Sequence, residues 1–231
     1  MNDVVISIKN LGIRYKKRGS LVRGKKTQYY WALRGVNLEI KKGEVLGVIG
    51  VNGAGKSTLL KAMNQIIKPD EGEVINRGYS TALLSISAGF IGYLSGRENA
   101  ILNGLLLGMS KGDITEKIED IKALSEIGDF FEQPIYTYSS GMKSRLGFSV
   151  AYYTDPDVIL VDEVISVGDR SFKEKSSRLM KERIKSDKTV VVVSHSMSLI
   201  KDLCTRVVVI DKKGIVDRLS VEEAIAKYNK L

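Results

Sequence analysis

The chain reads GVNGAGKS at residues 50–57, at the end of the apolar run EVLGVIG and at the start of a helical pattern from Lys56 to Gln65. This stretch fits the pattern GxxxxGK[ST] in the strand, loop and helix context that the pattern requires. Its glycines let backbone N–H groups surround phosphates, and the N-terminus of the helix adds positive potential. Lys56 can then reach the β- and γ-phosphates, and the Ser57 hydroxyl can ligate Mg²⁺. The stretch therefore predicts a nucleotide-phosphate site rather than a simple glycine-rich turn.

A second strand ends in two acidic residues. Residues 158–163 read VILVDE, an apolar run followed by Asp162 and Glu163. Ligands of parallel sheets bind at the carboxyl ends of the strands, so we expect this acidic pair beside the phosphate loop. Asp162 would hold Mg²⁺, directly or through water, and Glu163 would polarise the water that attacks the nucleotide.

The strand patterns predict an α/β fold. Residues 4–11 and 36–40 alternate apolar and polar side chains, as strands with one covered face do. Three later runs, at residues 157–162, 189–194 and 206–211, are rich in β-branched residues and suit central strands covered on both faces. Helical stretches separate these later runs. Strands that alternate with helices predict a parallel sheet.

The middle of the chain is helical by pattern, from about Arg97 to Phe131. Apolar residues recur there on one helical face: Ile114, Ile118, Ile121 and Leu124. Another helix is expected after Gly141, and a last one in SVEEAIAKYNKL, where Ser220 and Glu223 have the spacing of a capping box. We predict a single domain, residues 1–231, with a helical subdomain inserted at roughly 86–156.

Composition limits the classes of protein that fit. The 231 residues carry a formal charge of +9, which suits an anionic partner such as nucleotide, acidic lipid or nucleic acid. Cys204 is the one cysteine, so an internal disulfide is excluded and a reducing compartment is expected. The sequence has neither a signal-peptide pattern at its start nor an apolar run of about 18–20 residues. We therefore expect any membrane role to depend on a partner protein.

The stretch YSSGM, residues 138–142, resembles the signature of ABC-type ATPases, usually LSGGQ. Tyr138, Ser140 and Met142 depart from that pattern, whereas Ser139 and Gly141 keep it. Taken alone, YSSGM is more typical of a helix cap than of a ligand site. Its position before a helix and ahead of the acidic strand favours the resemblance, which covers essentially the whole chain.

Three more residues match elements of the same family. Asp169 resembles the D-loop residue at the dimer seam, and His195 resembles the switch histidine that contacts the γ-phosphate. Tyr15 resembles the aromatic residue that stacks on adenine, although one of the aromatic residues at 29–31 could serve instead. One element is missing, because residues 85–90 read SISAGF without the glutamine that usually begins the loop between core and helical insert.

The resemblance implies an ABC ATPase core of the RecA-like P-loop class with an inserted helical subdomain, closing head to tail as a homodimer around ATP and Mg²⁺. It implies that ATP is bound by Tyr15, Gly50, Asn52, Gly53, Ala54, Gly55, Lys56, Ser57 and Thr58. It implies that Ser139, Ser140, Gly141 and Asp169 contact the ATP of the other chain. Ser57 and Asp162 would hold the metal, and Glu163, His195 and Lys56 would be catalytic.

Several phrases resemble the ATPase subunits of polysaccharide exporters, namely LSGRENAILNG, YTYSSGMKSRLGFSVA, VDEVISVGDRSFKEK and VSHSM. That resemblance implies a membrane permease as partner, a lipid-linked polysaccharide as cargo, and a peripheral location on the cytoplasmic face of the bacterial inner membrane. Because the sequence ends soon after its last predicted helix, we expect no carbohydrate-binding domain.

Two alternatives remain open at this point. The first is an ABC ATPase for another exported substrate, such as a drug or lipid. The second is a DNA-maintenance ATPase, which the positive charge suits but which usually carries long coiled-coil insertions, so nucleic acid is not an expected partner. The basic segment at residues 16–26 is either a solvated hairpin or a contact with acidic lipid headgroups or a lipid pyrophosphate.

Overall fold

The computed structural model describes residues 3–17, 28–84, 89–162, 168–211 and 214–228, with residues 214–219 described by their backbone. The strands are β1 Val4–Lys16, β2 Tyr29–Lys41, β3 Val45–Gly50, β4 Glu71–Asn76, β5 Thr81–Leu84, β6 Val158–Asp162, β7 Thr189–Val193, β8 Arg206–Asp211 and β9 Gly214–Leu219. The α-helices are α1 Lys56–Met63, α2 Gly96–Leu106, α3 Lys111–Ser125, α4 Ser140–Tyr153, α5 Arg170–Ile184, α6 Met197–Leu203 and α7 Val221–Tyr228. The chain divides into two compact units, residues 1–79 with 189–231, and residues 80–188.

The first unit contains a parallel sheet in which β3 lies between β7 and β8. Every residue of β3 and β7 is buried, as the β-branched runs predict for strands covered on both faces. Strand β9 pairs antiparallel with β8 and was not predicted. Its sequence, GIVDRL, contains two charged residues, and pairing with β8 outweighs their low strand propensity.

A separate antiparallel sheet belongs to the same unit, with β1 between β2 and β4. Val36, Leu38 and Ile40 of β2 are buried and the residues between them are exposed, so the predicted alternation is confirmed there. The alternation predicted for residues 4–11 is wrong, because residues 5–8 of β1 are all buried and this strand lies between two others. The antiparallel pairing itself was not predicted, because alternation identifies a strand but not its partner.

The second unit pairs β5 with β6 in parallel and contains helices α2 to α5. The predicted apolar face of α3 is confirmed, because Ile114, Ile118, Ile121 and Leu124 are all buried. Three of them pack in one core with Phe131 and with Leu146 and Val150 of α4. These residues explain why the middle of the chain forms a helical body. The bounds 86–156 for an inserted subdomain stay a prediction.

Ion pairs connect a short 3-10 helix at Gly128–Glu132 to α2 and α3. Arg97 of α2 forms ion pairs with Glu132 and with Glu119 of α3, each at 2.8 Å.

Across the described ranges, no helix has the length and apolar character needed to cross a bilayer.

Candidate functional site

The phosphate loop joins the end of β3 to the start of α1, as predicted. Gly50 ends the strand so close to β8 that a Cβ atom there would lie 2.3 Å from the carbonyl oxygen of Ile210. Gly55 has φ of 97°, and a Cβ there would lie 2.5 Å from the carbonyl oxygen of Ala32. Both positions therefore require glycine, for space at Gly50 and for space and backbone conformation at Gly55.

Helix α1 begins without a side-chain cap, and its N-cap residue is Gly55. Every other α-helix in the described residues begins at a serine or aspartate whose side chain accepts a backbone N–H: Ser95, Ser110, Ser139, Asp169, Ser196 and Ser220. The first N–H groups of a helix have no partner within the helix, so a helix that lacks a side-chain cap offers them to water or to a ligand. The N-terminus of α1 is therefore suited to binding an anion.

Lys56 lies inside this loop, with 6% of its surface exposed. Its ammonium donates hydrogen bonds to the carbonyl oxygens of Gly50 at 2.8 Å and Val51 at 3.2 Å. The backbone N–H of Ala54 donates to the same carbonyl of Val51 at 3.1 Å. These bonds hold the loop and the lysine charge together near the N-terminus of α1.

The exposed members of the loop are Asn52, Gly53 and Ser57, and Thr58 is half-buried. Gly53 has φ of 78°, and no atom of the described residues lies within 4 Å of the position that a Cβ atom would occupy. The loop therefore presents backbone and the Ser57 hydroxyl to its surroundings.

The predicted adenine-stacking residue, Tyr15, lies on β1 directly opposite Tyr30 of β2. Their ring centroids are 5.9 Å apart with the planes inclined at 37°. Tyr29 and Trp31 belong to the other face of β2, where the Arg14 guanidinium lies over their rings at 4.8 and 5.8 Å. The aromatic candidates thus form two groups, and Tyr15 and Tyr30 belong together.

Asp162 ends β6 in the second unit and is partly buried. Its Oδ1 atom is buried and has no hydrogen-bond partner among the described residues. A buried carboxylate oxygen without a donor carries a desolvation cost that a cation or a bound water would offset. Asp162 therefore fits the predicted role of a metal ligand. Glu163, its neighbour, lies outside the described residues, so its role stays a prediction.

Ser139 is the N-cap of α4, and its Oγ accepts the N–H of Met142 at 3.1 Å. The sequence alone did not decide whether YSSGM caps a helix or contacts a ligand. Ser139 can do both at once. A hydroxyl oxygen that accepts a hydrogen bond keeps its own proton to donate. Ser139 and Ser140 are exposed, and a Cβ atom on Gly141 would be 3.7 Å from its nearest neighbour, Ser139 Oγ. Packing among the described residues therefore does not require a glycine at 141.

Tyr138 anchors the start of this loop, a role that the sequence analysis missed. It is 6% exposed, and its hydroxyl donates to the carbonyl oxygen of Phe130 at 2.5 Å. A Cβ atom on Gly96 would lie 2.1 Å from that hydroxyl, so glycine at 96 makes room for the tyrosine. Burial raises the pKa of Tyr138 to about 12, so the hydroxyl stays protonated and remains a donor.

Asp169 and the helix after Ser139 are joined by an ion pair that was also missed. Arg145 of α4 pairs with the Asp169 carboxylate and with Glu126, the latter at 3.6 Å. Asp169 also caps α5 by accepting the N–H of Phe172 at 3.1 Å. That backbone hydrogen bond, and then Arg145, hold the pKa of Asp169 below its ordinary value. The second unit thus brings the signature helix and Asp169 together.

His195 follows β7 in the first unit and is exposed. Its Nδ1 atom lies 3.2 Å from the hydroxyl of Tyr228, the last residue of α7. The sequence predicts a role for His195 but none for Tyr228. The available signal in the sequence was the spacing within SVEEAIAKY. Ala224 and Tyr228 are four residues apart there, so they lie on one face of the predicted helix.

The predicted residues are divided between the two units. The first unit holds the phosphate loop, Tyr15 and His195, and the second holds Asp162, residues 139–141 and Asp169. Residues 85–88, where the usual glutamine is missing, and most of the basic segment 16–26 lie outside the described residues.

Comparison with curated proteins identifies relatives of similar sequence. The chain is 40% identical over 221 residues to the teichoic acids export ATP-binding protein TagH of Listeria monocytogenes, covering 93% of this chain and 66% of that protein. It is 43% identical over 198 residues to the O-antigen export system ATP-binding protein RfbB of Myxococcus xanthus, covering 85% of this chain and 45% of that protein. The chain thus spans from under half to two thirds of the length of these relatives. A protein also called RfbB, from Klebsiella pneumoniae, is 39% identical, with 96% and 89% covered.

Solved structures share the fold. A dimeric ATP-binding cassette in a post-hydrolysis state, bound to ADP and Pi, has a TM-score of 0.72 at 24% identity over 94% of this chain and 98% of that one. The ATP-binding subunit of an ABC transporter has a TM-score of 0.73 at 16% identity, with 97% and 99% covered. The predicted P-loop fold is therefore confirmed. A family model described as ABC transporter matches residues 33–166, more than half of the sequence. The chain therefore belongs to the ABC transporter family.

Proposed function

We propose that the chain is the ATP-hydrolysing subunit of an exporter that moves a lipid-linked polysaccharide, such as O-antigen, capsule or teichoic acid. The observation that carries this proposal is the identity of about 40% to proteins named for teichoic acid and O-antigen export. The phosphate loop supplies the chemistry, because the uncapped N-terminus of α1 and the buried Lys56 suit a nucleoside triphosphate. The whole chain, 1–231, would form one ATP-binding domain.

ATP would be held mainly by the loop at residues 50–58. Backbone N–H groups at the start of α1 would bind phosphate oxygens, and Lys56 would neutralise the β- and γ-phosphates. Tyr15 would stack on adenine, with Tyr30 beside it. Because Lys56 already bonds two loop carbonyls, it needs little reorganisation to meet the phosphates.

Mg²⁺ would be held by the Ser57 hydroxyl and by Asp162, whose buried oxygen lacks a donor among the described residues. When bound, the ion neutralises charge on the phosphates. Glu163 would accept the proton of the attacking water, and His195 would donate a hydrogen bond to the terminal phosphate. Hydrolysis then depends on positioning and on neutralised charge rather than on a covalent intermediate.

Two copies would form the complete site, with each ATP between the phosphate loop of one chain and residues 139–141 of the other. The donor proton that Ser139 retains as a cap suits a terminal phosphate. Packing among the described residues does not require the glycine at 141, and a glycine there suits close approach by an outside ligand. Asp169, tied to α4 through Arg145, would lie at the same seam.

The partner would be a polytopic permease, and the subunit would lie on the cytoplasmic face of the bacterial inner membrane. The permease and the lipid-linked end of the cargo would provide substrate recognition. The charge of +9 suits an acidic membrane surface. We propose no nucleic-acid partner. DNA-maintenance ATPases usually carry long coiled-coil insertions, and this sequence shows no sustained heptad pattern.

The test is deletion of the gene in its own organism, followed by complementation. Deletion should leave polysaccharide inside the cell and remove it from the surface. The parent gene should restore surface polymer, and Glu163→Gln should not, although the purified variant should still bind ATP. Normal surface polymer after deletion, with loss of export of a drug or lipid, would reject the cargo. Hydrolysis by Glu163→Gln at the parent rate would reject the assignment of that residue.

A further inference from the structure

The contact between His195 and Tyr228 joins the end of β7 to the last turn of the last helix. The Nδ1 atom of His195 and the hydroxyl oxygen of Tyr228 are 3.2 Å apart. The two residues are separated by 33 positions in the chain, so the fold and not local geometry brings them together. His195 is exposed and Tyr228 is half-buried.

Local structure in α7 sets where Tyr228 lies. The helix begins with a capping box, in which Ser220 Oγ accepts the N–H of Glu223 at 3.2 Å and Glu223 accepts the N–H of Ser220 at 2.8 Å. Its buried residues are Ala224 and Ile225, and Tyr228 is four and three residues further on, on the same helical face. That face packs against β8 and α6. The buried face that fixes α7 therefore also directs the tyrosine inward.

We propose that Tyr228 is a positioning residue that holds Nδ1 of His195, so that Nε2 is the nitrogen presented to the terminal phosphate. This inference rests on the proposed role of His195 in the ATPase. In a neutral imidazole one nitrogen donates and the other accepts. A phosphate oxygen accepts only, so the nitrogen that meets it must carry the proton. A tyrosine hydroxyl that donates to Nδ1 fixes the proton on Nε2 and also fixes the orientation of the ring.

A purely structural role for Tyr228 makes a different prediction. Its ring could matter only for packing of α7, and Tyr228→Phe keeps the ring and removes the hydroxyl. The effects of this substitution on the imidazole and on turnover therefore report on the hydrogen bond. Tyr79→Phe is the matched control, because Tyr79 lies in the same unit, is half-buried, and uses backbone atoms in its bonds with Asn76.

His195 is the only histidine in the chain, so ring nitrogen spectra of untagged protein report on it alone. Spectra recorded at about pH 8 distinguish the two neutral tautomers. The parent and Tyr79→Phe should have the proton on Nε2. Tyr228→Phe should give a mixture of both tautomers. Its kcat for ATP hydrolysis should fall about fivefold, as expected for one lost hydrogen bond, with KM for ATP unchanged and the melting temperature lowered by no more than about 2–4 °C.

Three outcomes would overturn the inference: a parent ring protonated on Nδ1, identical ring spectra in parent and Tyr228→Phe, or altered spectra with parent kcat. A separate variant, His195→Ala, tests the proposed function itself. If His195→Ala turns over like the parent, the histidine has no role and the positioning role is lost with it. If His195→Ala is impaired while Tyr228→Phe is not, only the positioning role is wrong.

Discussion

The phosphate loop and the signature loop, residues 138–142, both lead into a helix, and the two helices begin in different ways. Helix α1 begins at Gly55, in a left-handed conformation and without a side-chain cap. Helix α4 begins at Ser139, in an extended conformation and with its side chain bonded to Met142. The first helix leaves backbone donors for a ligand, whereas the second satisfies one of its donors within the chain.

The difference indicates two kinds of binding surface. Lys56 is buried and bonded to its own loop, so the first surface is prepared within one chain. Ser139 and Ser140 are exposed on a loop that Tyr138 anchors from below, so the second surface is presented outward. The phosphate loop should therefore control ATP binding by a single chain, and the signature loop should control closure of two chains.

The largest expected effect is at the phosphate loop. Lys56→Ala removes the charge that faces the β- and γ-phosphates, and we expect turnover to fall by about 10²–10³-fold with weaker ATP binding. The control is Lys61→Ala, which removes an exposed lysine from the same helix and should leave hydrolysis unchanged. Steady-state ATPase rates and nucleotide titrations measure both variants. Parent rates in Lys56→Ala would contradict the phosphate-loop assignment.

The second experiment separates binding from closure. Ser139→Arg places a bulky cation where the loop would meet the other chain's ATP, so single-chain ATP binding should persist while hydrolysis is lost. Ser110→Arg is the control, because Ser110 caps α3 in the same way and should be dispensable for hydrolysis.

Mixing Ser139→Arg chains with Lys56→Ala chains sharpens this result. In a mixed dimer, one composite site carries both defects and the other carries neither, so part of the ATPase activity should return. Failure of Ser139→Arg to bind ATP at all would point to misfolding. Activity that never returns on mixing would argue against composite sites.

The fold was largely predictable where the signal is local. The β-branched runs predicted the central strands, and the spacing of Ser220 and Glu223 predicted the start of α7, which the structure has at Val221. The antiparallel pairing of β1 and the strand β9 were not predicted. They depend on pairing between distant segments, and a single sequence does not specify such pairing.

The candidate site follows the same rule. The residues around Lys56 were predictable because the phosphate contacts require particular residue types within eight positions. Arg145 and Asp169 are 24 residues apart, and His195 and Tyr228 are 33 apart. Neither pair has a local pattern, so packing of helices onto the core had to be known before these partners could be identified.

The smallest expected effect is a pH-dependent change in melting temperature at Asp169, in the unit that holds the signature loop. Asp169→Asn keeps a side-chain cap for α5 but loses the charge that pairs with Arg145. Because folding lowers the pKa of Asp169 below its ordinary value of 3.8, its carboxylate stabilises the fold fully above that value, and this contribution is lost as pH falls through the lower, folded pKa. The melting temperature of the variant should be about 1–2 °C below the parent at pH 7, and the difference should shrink as pH falls below 3.8 through the folded pKa. The effect is small because the Asp169 side chain is 59% exposed and Arg145 keeps Glu126 as a second partner. A difference in melting temperature that stays constant from pH 7 to pH 3 would assign the loss to the cap and not to the charge pair.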